Sequence, residues 1–235
     1  MPTRTAVAAL ALTAALAGPA RADNPSYAVI MIGVQVSPTD LHHAPTGDAA
    51  FTTTAVPTFG TRVWGPRKLP LYLGIHIDAL AALGHLSAAP RVMPIIGTDA
   101  GLTFPLAGGR AGVGAAFNAV NVAHPAFIAA DDDHVNDIAG QLRYTRPVAH
   151  RARIDLMLAV GATGGPGHDK GGLFASQAQV LVKLGRRLSV YGAAGYEVRT
   201  YEDAAAAEGE LVFTTAMFRA GIALHEIGPL GYNDF

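Results

Sequence analysis

Several short groups in this sequence have side chains of the right type and spacing to do chemistry. His76 and Asp78 are two residues apart, which on a strand puts both on one face, and a histidine held by a carboxylate can take a proton from water. Asp131-Asp132-Asp133-His134 and His168-Asp169 set carboxylates beside histidine, and His85-Leu86-Ser87 sets a base near a hydroxyl. His42 and His43 lie close to Asp48. Hard cations favour carboxylate clusters such as 131–133, but the glycine and distal glutamate of a calcium-binding hand are missing. Each group also has a plainer reading: a hydrogen-bonded pair for His76 and Asp78, and solvated loop for the rest. We therefore assign no catalytic residue, no metal ligand and no cofactor from these groups.

A second set is larger and mixed in sign: Arg62, Asp78, Asp99, Arg143, Arg153, Asp155, Lys183, Glu197, Arg199 and Arg219. Its meaning depends on the elements that position it. The stretch from Arg151 to Ala162, RARIDLMLAVGA, shows the pattern most plainly. Ala152, Ile154, Leu156, Leu158, Val160 and Ala162 share one face, while Arg151, Arg153, Asp155, Met157, Ala159 and Gly161 share the other. A period of two means a strand, and about eleven residues is the length of a tilted strand crossing a bilayer. In a soluble sheet the apolar face would point to a core; in a membrane barrel it would point to lipid and the charges to a lumen.

The start of the chain bears on that choice. Residues 1–22 read MPTRTAVAALALTAALAGPARA: a basic residue, a short apolar run, a Gly-Pro break and small residues before Asp23, the pattern of a cleaved secretory signal peptide. The mature chain, 23–235, is then one domain of about 210 residues. Charged residues are only 15% of the whole, and mean hydropathy is +0.28, yet no later run of ~18 apolar residues could form a spanning helix. Its apolar content is spread along strands. There is no cysteine, and a net charge of -1 gives no reason to expect nucleic acid as a partner.

Ten alternating segments follow one another: Tyr27–Val36, Phe51–Trp64, Leu71–Leu80, Ile96–Leu106, Arg110–Val122, Ile138–Thr145, Arg151–Ala162, Phe174–Leu184, Leu188–Thr200 and Leu211–Ile227. Phe51–Trp64 is interrupted by Pro57 and blurred by threonines. Counting it gives ten strands with both termini at one end, whereas omitting it would by parity leave the N-terminus at the other; an eight-strand barrel is the alternative. Polar loops are expected between Val36 and Phe51, with His42, His43 and Asp48, at 123–136 and at 201–210. From the third segment onward long and short connections alternate, with short ones at 107–109, near 147 and at 185–187. Outer-membrane barrels have that alternation, with short periplasmic turns and long external loops.

In these features the chain resembles the small outer-membrane β-barrel proteins of Gram-negative bacteria. The resemblance covers everything after residue 22 and rests on pattern, not on a motif. It implies an all-β, antiparallel, up-and-down transmembrane barrel in the outer membrane, with lipid and lipopolysaccharide as its surroundings. Two features depart from the family: aromatic residues are only 7%, with one tryptophan, and Pro229 interrupts the approach to the terminal Phe235. The alternative is an exported soluble β-barrel or sandwich that binds a small ligand. Within the membrane reading, the mixed charges would pair inside a lumen that ten strands leave narrow, so a general-diffusion pore is not expected. The omptin proteases also have ten strands and lipid A-modifying barrels eight, but none of the histidine groups matches either family's motif.

Overall fold

The computed structural model describes residues 27–43, 48–65, 69–80, 93–121, 134–164, 170–185, 187–203 and 209–225. Ten strands follow in order: β1 Tyr27–His43, β2 Asp48–Trp64, β3 Leu71–Leu80, β4 Met93–Leu106, β5 Gly109–Asn121, β6 His134–Ala149, β7 Ala152–Gly164, β8 Gly171–Lys183, β9 Leu188–Asp203 and β10 Gly209–His225. Each pairs antiparallel with its neighbours in sequence, and β1 pairs with β10, so the sheet closes into an up-and-down barrel without an open edge strand. Closure answers the backbone's need for hydrogen-bond partners, which lipid cannot supply.

Followed from partner to partner once round the barrel, the register that starts at Val29 returns to β1 at Leu41, twelve residues further along. With ~3.3 Å per residue and ~4.8 Å between strands, that offset tilts the strands by about 40°. A strand as long as β1, 17 residues, then stands on the order of 40 Å tall, against an apolar band of roughly 25 Å in such barrels. The outward face of β1 reflects the difference. Ile32, Val34 and Val36 are exposed within the band, and beyond them come Asp40 and His42, also exposed.

Burial is inverted relative to a protein folded in water. The outward positions carry the large apolar side chains: Ile138 is 64% exposed, Leu102 63% and Val160 58%. Inward positions carry the polar groups, with Gln35 and Asp137 fully buried and Arg153 and Arg199 at 2%. A soluble sandwich would bury the first set and expose the second, so this distribution contradicts that alternative.

The strands run further than their apolar periodicity suggests. β1 continues to His43 and β2 begins at Asp48, so His42, His43 and Asp48 are strand residues, with His43 paired to Asp48, rather than parts of a loop. β6 begins at His134, opposite Asn121, and β9 and β10 reach Asp203 and Gly209, which shortens the expected loops at 123–136 and 201–210. The reason is physical: past the apolar band, outward positions no longer have to be greasy, while the backbone ladder continues. Residues 1–22, Asp131–Asp133, His85, Ser87, His168, Asp169, Pro229 and Phe235 lie outside the described residues.

One end of the barrel carries the connections 65–70, 107–108, 150–151 and 184–187. At Ala107 and Gly108 both residues have positive φ, 44° and 75°, as a two-residue hairpin of the primed type requires. The Tyr144 hydroxyl donates to the Ala107 carbonyl at 3.0 Å and fixes the turn from the neighbouring strand.

Candidate functional site: the lumen

The lumen is filled in layers. At the tight-turn end, Trp64 from β2, Tyr72 from β3, Leu181 from β8, Tyr191 from β9, Val29 and Met31 from β1 and Ala223 from β10 form a buried apolar cluster. Trp64 and Tyr72 meet at 5.6 Å between ring centroids, tilted by 31°. Arg110 holds this plug in place: its guanidinium donates to the Gly65 carbonyl and to Thr103 Oγ1, and lies 5.8 Å from the Trp64 ring centroid. The single tryptophan of the chain is therefore inside the barrel.

Above the plug the walls are tied by charge. Arg143 Nε lies 2.9 Å from Asp99 Oδ2 and donates to Gln141 Oε1 at 2.7 Å, and the Tyr72 hydroxyl donates to the same Gln141 oxygen at 3.1 Å. Gly74 leaves room for Asp99, whose carboxylate fills the space a β-carbon would take there. Arg62 on β2 and Asp155 on β7 come within 3.6 Å from opposite walls. Further from the plug, Arg199 bridges Asp137 at 2.7 Å and Glu197 at 2.9 Å, and Asn118 adds a contact to Asp137 at 3.4 Å. Arg219 donates to Gln35, which in turn donates to Ser37 at 2.6 Å.

Between these layers the wall narrows to small residues, including Ala116, Ala139, Ala159 and Ala175, and leaves a cavity of ≈ 100 Å³. That is room for several waters, well below the volume of a site for a larger organic ligand. Its lining is polar and apolar by turns, with Gln177, Gln179 and Arg219 next to Met31, Met157 and Met217. Met31 Sδ accepts from Gln179 at 3.5 Å.

Buried ion pairs of this kind add little net stability, because taking both ions out of water offsets most of their attraction. What they do is cross-link. Arg62 with Asp155, Arg143 with Asp99 and Arg199 with Asp137 join β2 to β7, β6 to β4 and β9 to β6, pairs of strands that share no ladder. Wrong registers would strand charges in a low-dielectric interior, so the set fixes one register.

Of the charges expected inside, Asp99, Arg143, Arg153, Asp155, Glu197 and Arg199 are buried and inward, and Lys183 and Arg219 are partly buried. Asp78 pairs through its backbone with Ile95, and its side chain lies outside the described residues. His76 points inward over Gly97, where its ring and the Asn118 side chain take the space of a β-carbon. The sequence reading missed Asp137, the partner of Arg199, by starting the strand one residue later. Its shared parity with Gln141 and Arg143 was the available signal. It also missed Arg110 and the aromatic plug, whose members share the parity of inward neighbours, Trp64 with Arg62 and Tyr72 with His76.

Neither a family model nor a curated protein matches this sequence. Solved structures do match the fold. The outer membrane protease OmpT from Escherichia coli superimposes with a TM-score of 0.51 over 90% of this chain and 100% of its own, at 7% identity. The translocator domain of the autotransporter NalP from Neisseria meningitidis gives a TM-score of 0.42 at 11% identity, covering 94% of this chain and 95% of its own. The outer membrane protein OprG from Pseudomonas aeruginosa gives 0.36 at 8% identity, covering 89% and 100%. At 7% identity the likeness to OmpT is one of fold, not of activity. A closed ten-strand antiparallel barrel, apolar outside and charged within, this chain has the fold of the outer-membrane β-barrel proteins.

Proposed function

We propose that this protein is exported by its first 22 residues, resides in the outer membrane, and has a structural or interaction role there, its lumen closed to bulk diffusion by its own side chains. The observation that carries this reading is the plug of Trp64, Tyr72 and Leu181 beneath cross-lumen ion pairs. Its setting is the lipid and lipopolysaccharide that the apolar belt and the strand extensions would meet. The buried carboxylates support a structural use rather than a catalytic one: Asp99, Asp137, Asp155 and Glu197 are each engaged by an arginine.

Conductance tests the closed lumen. The protein reconstituted in planar bilayers should pass no steady current, or only small steps. The double substitution Trp64→Ala and Tyr72→Ala, which empties the plug, should raise the current in protein that still folds. Large, long-lived steps from the unmodified protein would contradict a closed lumen.

A further inference from the structure

Charge is strongly polarised along the barrel axis. The segments around the four connections at one end, 61–74, 103–112, 145–154 and 181–192, contain ten of the chain's 17 lysines and arginines and no Asp or Glu. At the opposite end the strand-end residues Asp40, Asp48, Glu202, Asp203 and Glu210 are acidic, with Lys170 as a cation beside them. Topology produces this separation, because every one of the first segments connects or flanks strands at the same end.

The basic end is built where the apolar belt stops. Arg151 and Arg187 are exposed in their turns, with their backbones fixed: the Arg151 carbonyl accepts from Lys183 N at 2.7 Å, and the Arg187 carbonyl accepts from His225 N at 2.9 Å. Exposed apolar side chains lie beside them, Val148 at 41%, Leu184 at 57% and Leu188 at 36%. A cation adjoining the last lipid-facing leucine is at the depth of lipid phosphates. Buried Arg110, Arg146 and Arg153 add positive potential behind that rim.

We infer that the tight-turn rim, with Arg151 and Arg187 at its surface, is a docking surface for anionic phospholipid headgroups. This rests on the membrane reading above.

Spin-labelled lipids test it. The full mature chain is folded into phosphatidylcholine vesicles containing a trace of spin-labelled phosphatidylglycerol or spin-labelled phosphatidylcholine, and the motionally restricted fraction is read by electron paramagnetic resonance. Phosphatidylglycerol should be enriched at the protein by roughly two- to fivefold, and the preference should collapse at ~1 M salt. The double substitution Arg151→Glu and Arg187→Glu, on exposed turn residues, should abolish it while the protein remains inserted. Equal restriction of both lipids by inserted protein would overturn the inference alone, as would a preference that survives charge reversal, which would point to an acidic-lipid contact elsewhere. Failure of the unmodified chain to insert would overturn the membrane reading and the inference with it.

Discussion

Arg143→Ala is expected to destabilise the folded barrel by about 3–5 kcal/mol, because it leaves the buried Asp99 carboxylate without its ion-pair partner. It also removes a donor to Gln141, which then serves Tyr72 alone, and a cation 5.7 Å from the Tyr72 ring centroid. Replacing both ions by apolar groups of similar volume, Arg143→Met with Asp99→Leu, should recover most of the loss, since no ion then remains to be desolvated. Urea titrations of the protein folded in detergent would measure all three. A single substitution as mild as an exposed one, below about 1 kcal/mol, would show that the pair is hydrated and the lumen open to water.

Leu158→Arg should cost about 2–4 kcal/mol, the range for arginine on the lipid face near the bilayer midplane. Leu158 is 38% exposed on the outward face of β7 and pairs with Leu142, also outward and exposed. The matched alanine substitutions separate the two faces of the wall. Leu158→Ala should cost little, because lipid chains fill the space, whereas Leu181→Ala removes a side chain with no exposure from the plug and should cost roughly 2–5 kcal/mol through the cavity left behind. Unfolding in lipid vesicles reports each. The reverse order would mean that the apolar belt is packed against protein instead of lipid.

The architecture was legible because one physical constraint acts along every strand. Lipid outside and a polar lumen inside force a period of two, and Ile154, Leu156, Leu158 and Val160 against Arg153 and Asp155 display it without ambiguity. Even the irregular Phe51–Trp64 could be counted, since Phe51, Ala55 and Phe59 keep one parity and Arg62 the other. Where the constraint ends, so did the reading: Pro38, Asp40 and His42 continue β1 beyond the belt on backbone pairing alone, and nothing in their side chains announces a strand. The lumen was half legible. Inward charges could be named from parity, but partnership depends on the strand offset around the whole barrel, which local pattern does not encode. Arg62 meets Asp155 across four intervening strands, and the plug forms because Trp64, Tyr72, Leu181 and Tyr191 fall at one height under that offset.

That the chain is a membrane-embedded outer-membrane barrel is tested most directly by fractionating cells that express it and running the folded protein, boiled and unboiled, on a cold detergent gel. The account predicts recovery with the outer membrane and a band whose migration changes on boiling, because a closed ladder with cross-lumen ion pairs resists detergent until heated. A freely soluble periplasmic protein that runs identically before and after boiling would contradict it.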